Sequence, residues 1–195
     1  MRHLLIKGNT KMGPEVYLFN LPPLLTCHPT PWCRVNCYAL KGNFRFPSVK
    51  QSAEERYRIS QLPNFVEMMV QEIQQRQVRL VRLHSSGDFY DPAYVQKWID
   101  IAKRCPNTRF RTTTKRRDLI ERIRQLNKLP NFIVRESLDC TSSQPTMGLP
   151  LAMVDHIPGV KEQAAKGKIF RCINDCQTCG YTCWRKRQDA CFAPH

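Results

Sequence analysis

Segments with the pattern of β-strands alternate with helical segments along most of this chain, and this alternation limits the folds that the chain can adopt. Residues 78–89 alternate apolar and polar side chains as a half-buried strand does, and residues 91–105 place Val95, Trp98 and Ile99 on one helix face. Similar patterns predict strands at 15–25, 108–115, 131–139 and 150–156, and helices at 52–60, 65–77 and 117–129. Such alternation is typical of βαβ units around a parallel sheet.

The predicted strands are too few for a closed barrel. A closed barrel of eight parallel strands takes about 250 residues, whereas this chain has 195 residues and five to six predicted strands. We therefore expect an α/β fold in which residues 1–165 form a partial, open parallel βα barrel of about five to six strands. Residues 166–195 break the alternation and carry five cysteines, so we expect a cysteine-rich, metal-binding tail.

The ten cysteines of the chain are better explained by metal binding than by disulfides. No apolar run approaches the roughly 18 to 20 residues that span a membrane, and the first residues lack the apolar stretch of a signal peptide. We therefore expect a cytoplasmic protein without a membrane partner, in a compartment that keeps thiols reduced.

Three of these cysteines, Cys27, Cys33 and Cys37, lie within eleven residues directly after the first predicted strand. A closed zinc site needs a fourth ligand, and His28 is poorly placed to supply it because it is adjacent to Cys27. Three thiolates suit a [4Fe-4S] cluster in which one iron is free to coordinate a substrate or cofactor. Cys140 follows a predicted strand and is the rival for the fourth position.

Polar residues follow the next predicted strand, and the carboxyl ends of parallel strands are where ligands bind. The residues are Ser85, Ser86, Gly87 and Asp88, and Arg135 occupies a corresponding position near the end of a later strand. The glycine would let the backbone approach a ligand closely, and the polar side chains would bind an amine or a carboxylate. The same residues also fit an ordinary turn in which an aspartate caps the next helix, and both interpretations stay open.

The tail holds four closely spaced cysteines and a fifth one eight residues further on: Cys172, Cys176, Cys179, Cys183 and Cys191. Thiols this close can surround one ion or cluster with little loop-closure cost, and their polar neighbours argue against a core segment. The spacing suits both a four-sulfur zinc site and a four-thiolate iron–sulfur cluster. We expect the first four to form a closed [4Fe-4S] site, with zinc as the alternative.

The chain is strongly basic, with 31 Lys and Arg against 16 Asp and Glu and a formal charge of +15. Such an excess favours a polyanionic partner, because neutralising phosphates releases counterions. The basic runs at 114–118 and 184–188 fit contacts with the phosphates and bases of nucleic acid. We expect RNA or a nucleotide-bearing substrate as a partner, although the same runs would also solvate the ends of helices.

Three segments together resemble the phage gene product 88 family: the cysteine loop that ends in Cys37, Tyr38 and Ala39, the stretches at 82–89 and 94–102, and the tail from Cys176 to Trp184. The resemblance extends over residues 15–184. Proteins of this family are small, of unassigned function, and found in phages and prokaryotes. More distantly, the chain is similar to radical S-adenosylmethionine (SAM) enzymes.

The similarity to radical SAM enzymes implies that Cys27, Cys33 and Cys37 hold the cluster, and that its free iron binds the amine and carboxylate of SAM. It implies that the motif at the end of the second strand, Ser86, Gly87 and Asp88, contacts the amine of SAM. We also expect cofactor contacts from Tyr38, Ser85 and Arg135. The similarity also implies a reducing partner such as ferredoxin or flavodoxin. It assigns no catalytic residue.

Our hypothesis from the sequence is an iron–sulfur protein with one open and one closed [4Fe-4S] cluster. It would be a radical-SAM-like redox enzyme that acts on a nucleic acid or a nucleotide-type substrate. One alternative is a nucleic-acid-binding module whose metal sites are purely structural. Another is an open-cluster enzyme that does not use SAM.

Overall fold

The computed structural model describes residues 3–193, and within them eight strands form one sheet. In chain order the strands are β1 (Ile6–Lys7), β2 (Val16–Phe19), β3 (Leu80–Leu83), β4 (Arg109–Thr114), β5 (Phe132–Leu138), β6 (Leu151–Val154), β7 (Phe170–Arg171) and β8 (Ala190–Phe192). Their order across the sheet is β1-β2-β3-β4-β5-β6-β8-β7. β1 pairs with β2 in antiparallel direction, and the other pairs are parallel.

An α/β fold with a mostly parallel sheet that is not closed is therefore confirmed. The predicted number of five to six strands is wrong, because the described residues form eight. The additional strands are β1, β7 and β8, with two, two and three residues. Alternation cannot be recognised over so few residues. Two of these strands lie in the cysteine-rich tail, which thus extends the sheet beyond β6.

Seven α-helices accompany the strands in the described part of the chain: α1 (Pro31–Asn36), α2 (Pro47–Gln61), α3 (Phe65–Gln75), α4 (Pro92–Arg104), α5 (Ile120–Asn127), α6 (Val160–Ala165) and α7 (Thr182–Arg185). The predicted helix at 52–60 begins earlier, at Pro47, whose fixed φ suits the first helical position. α4 begins where predicted, because Asp91 caps it by accepting a hydrogen bond from the Tyr94 amide at 2.6 Å. Between residues 3 and 193, none of the helices has the length and apolar character needed to traverse a bilayer.

The main core lies between strands β2 to β5 and helices α3, α4 and α5. Phe19, Phe110 and Phe132 face these helices from separate strands and are fully buried. Trp98 of α4 packs edge-on against Phe19, with ring centroids 5.3 Å apart. Large buried aromatic side chains dominate core energetics, so this core fixes the positions of the strands and of the loops that leave them.

The opposite side of the sheet is covered by the tail, and we call it the tail-covered face. Trp184 of α7 is buried there, and its indole donates a hydrogen bond to a carbonyl of β3 at 2.9 Å. Arg135 of β5 is also buried, and its guanidinium donates to the carbonyls of Cys183, Lys186 and Gln188 at 3.1, 2.7 and 3.1 Å. An arginine of the sheet therefore holds the end of α7.

We predict that Arg135→Met loosens the tail, because it leaves three tail carbonyls without their donor. Each unsatisfied buried group costs about 1–3 kcal/mol. The midpoint of thermal unfolding should fall, and trypsin should release the tail faster than in the parent protein. Arg109→Met is the matched control, since Arg109 is exposed on the neighbouring strand, and it should change neither measurement. Equal behaviour of the two variants would show that Arg135 does not hold the tail.

Candidate functional site

The three cysteines that follow β2 lie in one pocket with the carboxyl ends of three further strands. The pocket has a volume of about 130 Å³, and its wall includes Cys27, Cys33 and Cys37. Residues from the ends of β3, β4 and β5 complete this wall, namely residues 84–88, Thr113, Thr114, Lys115 and Ser137. We call it the cysteine pocket. Parallel strands bring their carboxyl ends to one edge of a sheet, where ligands bind in folds of this class.

A short helix places two of the cysteines next to each other. α1 begins at Pro31 with Thr30 as its N-cap, and the Thr30 hydroxyl accepts a hydrogen bond from the Cys33 amide at 3.1 Å. Cys37 ends this helix four residues after Cys33, so the two side chains lie on the same face. Their sulfurs form a hydrogen bond with each other. α1 therefore presents a pair of thiols to the pocket.

A buried carboxylate at the end of β5 attaches this helix to the sheet. The Thr30 hydroxyl donates a hydrogen bond to Asp139 at 2.6 Å, and the Lys115 ammonium lies 2.9 Å from the same carboxylate oxygen. The amide and hydroxyl of Thr141 donate to the other oxygen. Burial acts to raise the pKa of Asp139, but the contacts with Thr30 and Lys115 outweigh it and lower this pKa. An ionised Asp139 thus joins the cysteine loop to β4 and β5.

Asp139 and Lys115 were not among the predicted site residues. Each of them stands at the last position of a predicted strand, 131–139 and 108–115 respectively. Charged side chains at the carboxyl ends of parallel strands face the edge where ligands bind. Their position in the sequence could have identified them as site residues. It could not have predicted that Lys115 and Asp139 pair with each other.

The three thiols of the pocket differ in acidity. The hydrogen bond between Cys33 and Cys37 raises the pKa of Cys33 and lowers the pKa of Cys37 to about 6. Burial, together with the nearby Asp88 carboxylate, raises the pKa of Cys27 to about 11. Of the two paired thiols, Cys37 is the one whose pKa is lowered. A metal would have to displace the protons of the other two thiols, because thiolates are the ligands.

The described residues contain no group of three or more His, Cys, Asp or Glu side chains arranged to hold a metal ion. All ten cysteines have free thiols. Cys140, the rival fourth ligand, is exposed and is not part of the wall of the cysteine pocket. His28 is part of it, and its Nδ1 lies 3.7 Å from the Asp118 carboxylate. Metal ligation by Cys27, Cys33 and Cys37 stays a prediction.

Asp88, a predicted cofactor contact, holds the carboxyl edge of the sheet together. It is buried and accepts hydrogen bonds at 2.8, 2.7 and 2.9 Å from the Phe89 amide, the Thr114 hydroxyl and the Lys115 amide. Burial raises the pKa of Asp88 to about 6, and these hydrogen bonds oppose the rise. The aspartate that caps the next helix is Asp91 and not Asp88.

Gly87 is required by the close approach of the segment that precedes Cys27. Its φ is +82°, and a Cβ atom there would lie 2.6 Å from the Leu21 side chain and 2.7 Å from the Thr26 hydroxyl. The neighbouring Ser86 hydroxyl donates a hydrogen bond to the Leu21 carbonyl at 2.8 Å. The glycine was expected to let backbone approach a ligand, whereas in the structure it lets two loops of the protein approach each other.

Ser85 and Tyr38, two of the predicted cofactor contacts, contact each other in the wall of the cysteine pocket. The Ser85 hydroxyl oxygen is buried in the wall of the pocket and has no hydrogen-bond partner within residues 3–193. Because buried polar atoms are nearly always partnered, this oxygen is suited to bind a ligand. The Tyr38 hydroxyl donates a hydrogen bond to the Ser85 carbonyl, which holds the tyrosine in the same wall.

Arg135 lies apart from the other five predicted cofactor contacts. Tyr38, Ser85, Ser86, Gly87 and Asp88 all line the cysteine pocket, and Arg135 does not. Its guanidinium donates to three carbonyls of the tail. A contact with a cofactor would require some of these bonds to break, so its observed partners support a structural role.

The first four tail cysteines form one group. Burial raises the pKa of Cys176 to about 11, and the charge of Arg111 opposes this rise. The nearby thiols of Cys172, Cys179 and Cys183 add to the rise. Cys191 instead packs with Leu138 and Met153 in a core cluster. Whether the group of four holds a metal stays a prediction.

A family model described as gene product 88 matches residues 3–186. The chain belongs to the phage gene product 88 family. The matched range includes the cysteine loop, the carboxyl ends of β3 to β5 and the first four tail cysteines. No curated protein and no solved structure matches the chain. The similarity to radical SAM enzymes is not shown by these comparisons.

Several cations of the predicted basic runs of this gene product 88 protein contact other parts of the protein. In the first run, three cations form ion pairs: Lys115 with Asp139, Arg116 with Asp118 and Arg117 with Glu136. In the second run Trp184 is buried, and the Arg187 guanidinium donates to three main-chain carbonyls. These contacts support structural roles for part of both runs. Arg185 and Lys186 of the second run are exposed, so contact of this run with nucleic acid stays a prediction.

We predict that Gly87→Ala displaces the segment that carries Cys27. The added methyl group would overlap Leu21 and Thr26, and the left-handed backbone would cost about 1–3 kcal/mol. The midpoint of thermal unfolding should fall, and iodoacetamide should label Cys27 faster, as measured by mass spectrometry. Gly167→Ala is the control, because Gly167 has φ +69° and nothing within 4 Å of an added Cβ. Identical labelling of Cys27 in both variants would contradict the close approach.

Proposed function

We propose that this protein is an iron–sulfur redox enzyme similar to the radical SAM enzymes. Cys27, Cys33 and Cys37 would hold a [4Fe-4S] cluster that leaves one iron open to a ligand. The observation that carries the proposal is the convergence of these three thiols, from one loop, on the carboxyl ends of β3, β4 and β5. This edge is where parallel sheets bind ligands. We also propose that the sheet curves into a partial barrel behind this pocket.

The chemistry of the cysteine pocket suits a cluster with three protein ligands. Its thiols include one that is already acidic, Cys37, and the positive charge of Lys115 opposes the rise in the pKa of Cys33. The unpartnered hydroxyl of Ser85 lies in the same wall and suits a further bound molecule. When bound, an iron–sulfur cluster supplies single electrons to a ligand on its open iron.

The residues opposite the thiols would orient the cofactor. The Ser85 hydroxyl would form a hydrogen bond with it, and the Lys115 ammonium, held 2.9 Å from Asp139, would attract a carboxylate. Gly87 and Asp88 would act indirectly, because their contacts keep the Cys27 segment and the end of β4 in place. SAM carries both an amine and a carboxylate and is the cofactor that we propose for this pocket.

The tail would hold a second, closed cluster through Cys172, Cys176, Cys179 and Cys183, with zinc as the alternative. α7, which carries the last of these thiols, is fastened to the sheet by Arg135. A metal at this position would connect the beginning of the tail to that fixed end, as a structural clamp or as an electron relay. Ferredoxin or flavodoxin would supply the electrons.

Segment 34–50, which begins after Cys33 and contains Cys37, supports a nucleic acid or nucleotide-type substrate. It exposes four cations, Arg34, Lys41, Arg45 and Lys50, and contains no Asp or Glu. Phe46 in the same segment is 56% exposed. Cations beside an exposed aromatic ring suit the phosphates and bases of a single strand. The segment also lines a cavity of about 510 Å³ that shares Ala39 and Ser86 with the cysteine pocket.

The same segment favours a second candidate function, a nucleic-acid-binding module with structural metal sites. Its exposed cations would serve such a module equally well. The two functions differ at the cysteine pocket, because a binding module needs neither an open iron nor SAM. Redox chemistry at Cys27, Cys33 and Cys37 therefore distinguishes the two proposals.

We predict that anaerobically purified protein contains about eight irons, four for each cluster. It should form 5′-deoxyadenosine when SAM and dithionite are added. Cys33→Ala should remove about half of the iron and abolish this product. Cys140→Ala is the control, because Cys140 is exposed and lies outside the pocket, and it should keep both. Zinc in place of iron in the cysteine pocket, or full iron content in Cys33→Ala, would contradict the proposal.

We predict that segment 34–50 binds RNA. The double variant Lys41→Glu, Arg45→Glu should weaken binding of a single-stranded oligonucleotide about tenfold or more near physiological salt, measured by fluorescence anisotropy. The control Lys166→Glu, Lys168→Glu makes the same change in charge at two exposed positions outside the segment and should have a much smaller effect. Equal losses in the two variants would mean that only net charge matters.

A further inference from the structure

A further cleft lies between the cysteine pocket and the first tail cysteines. It has a volume of about 340 Å³, and its wall includes Tyr38 and Ser85, which also line the cysteine pocket. Cys176 of the tail group contributes to the same wall. We call it the arginine cleft, because Arg82 and Arg111 line it. The function proposed above gives these two arginines no role.

The two arginines are direct neighbours in the sheet. Arg82 on β3 is in register with Arg111 on β4, so both side chains extend from the same face. Arg111 is only 6% exposed, and Arg82 is half-buried. Burial and the charge of Arg111 lower the pKa of Arg82. Like charges directly opposite each other on paired strands are destabilising, so an anion between or beside these two arginines would stabilise them.

The described residues supply no carboxylate to either arginine. The arginines that form ion pairs there are Arg58, Arg76, Arg104, Arg116, Arg117 and Arg124. The Nε atom of Arg111 is buried and has no hydrogen-bond partner among residues 3–193. Arg82 donates to the sulfur of Met12 at 3.8 Å, a weak acceptor. The guanidinium of Arg111 and the remaining donors of Arg82 are therefore available to a molecule from outside.

The cleft holds the arginines ready for such a molecule. The Arg111 guanidinium lies 4.4 Å from the centroid of the Trp184 ring, a cation–π contact that fixes its position without using its N–H donors. The wall of the cleft also includes Lys11 and contains no Asp or Glu. Its charge is therefore positive, and its aromatic and amide side chains offer contacts to the rest of a ligand.

We propose that Arg82 and Arg111 bind an oxyanion group, a phosphate or a carboxylate, of a small ligand in the arginine cleft. The planar fork of a guanidinium matches both groups through paired hydrogen bonds. From this anchor the ligand would extend past Tyr38 and Ser85 towards the cysteine pocket. The oxyanion site does not require a bound cluster. If its ligand is the substrate of the enzyme, that part of the proposal rests on the function proposed above.

A different role for the arginines would be to neutralise the tail thiolates. The charge of Arg111 acts against the rise in the pKa of Cys176, so the guanidinium lies close enough to influence that thiol. In this case the variants described next would change the metal content of the tail and leave anion binding as it was.

Calorimetric titration of the anaerobically purified full chain with inorganic phosphate, and separately with acetate, tests the proposal. One of the two anions should bind saturably, and the tighter one identifies the class of the group. Arg82→Gln and Arg111→Gln should each weaken this binding about tenfold or more. Arg82→Lys should weaken it less, because it keeps the charge. Arg109→Gln, at an exposed arginine two residues from Arg111, should bind as the parent does.

Circular dichroism and metal analysis of each variant separate the outcomes. If Arg111→Gln does not fold, Arg82→Gln and Arg82→Lys carry the test, because Arg82 is the less buried of the two. Absence of binding by both anions overturns the proposal. Anion binding that is unchanged in the folded Arg82→Gln and Arg111→Gln variants also overturns the proposal. This includes the case in which the variants lose metal from the tail but still bind the anion. Anion binding that depends on both arginines supports the site even if the protein contains no iron.

Discussion

The buried carboxylate of Asp139 holds the candidate site together. It receives the hydroxyl of Thr30, which caps α1, and it pairs with Lys115 at the end of β4. A helix of six residues has too few internal hydrogen bonds to hold its position alone. The placement of Cys33 and Cys37 therefore depends on this contact between residues that are 109 positions apart in the chain. Asp88 has the same role for Cys27, because its amide donates to Thr26 while its carboxylate binds the end of β4.

The two faces of the sheet differ in the side chains that they carry and in what covers them. One face packs aromatic side chains against three helices and gives the strands fixed positions. The other face carries Arg82, Arg111 and Arg135, and only Arg135 has a full set of main-chain acceptors from the tail. The tail is thus clamped at one arginine and leaves a cleft at the other two. The wall of this cleft shares Tyr38 and Ser85 with the cysteine pocket and includes Cys176 of the tail.

The parallel sheet and the position of the cysteine loop were predictable, because both follow from the order of elements along the chain. Five strands have enough residues for alternation to be read, and a loop after a parallel strand must lie at the carboxyl edge. The contacts that shape the site were not predictable. The link from Thr30 to Asp139 and the register of Arg82 with Arg111 are long-range, and local patterns do not contain them. The basic runs at 114–118 and 184–188 show the same limit, since composition could not reveal their internal partners.

The central claim is that Cys27, Cys33 and Cys37 hold a cluster whose fourth iron accepts a ligand. Electron–nuclear double resonance on the dithionite-reduced protein, with SAM that carries ¹⁵N in its amino group, tests this claim most directly. We predict a ¹⁵N hyperfine coupling to the reduced cluster, and its loss in Cys33→Ala, which retains the tail cysteines. A cluster signal without ¹⁵N coupling, under conditions where equilibrium dialysis shows that SAM is bound, would contradict the account.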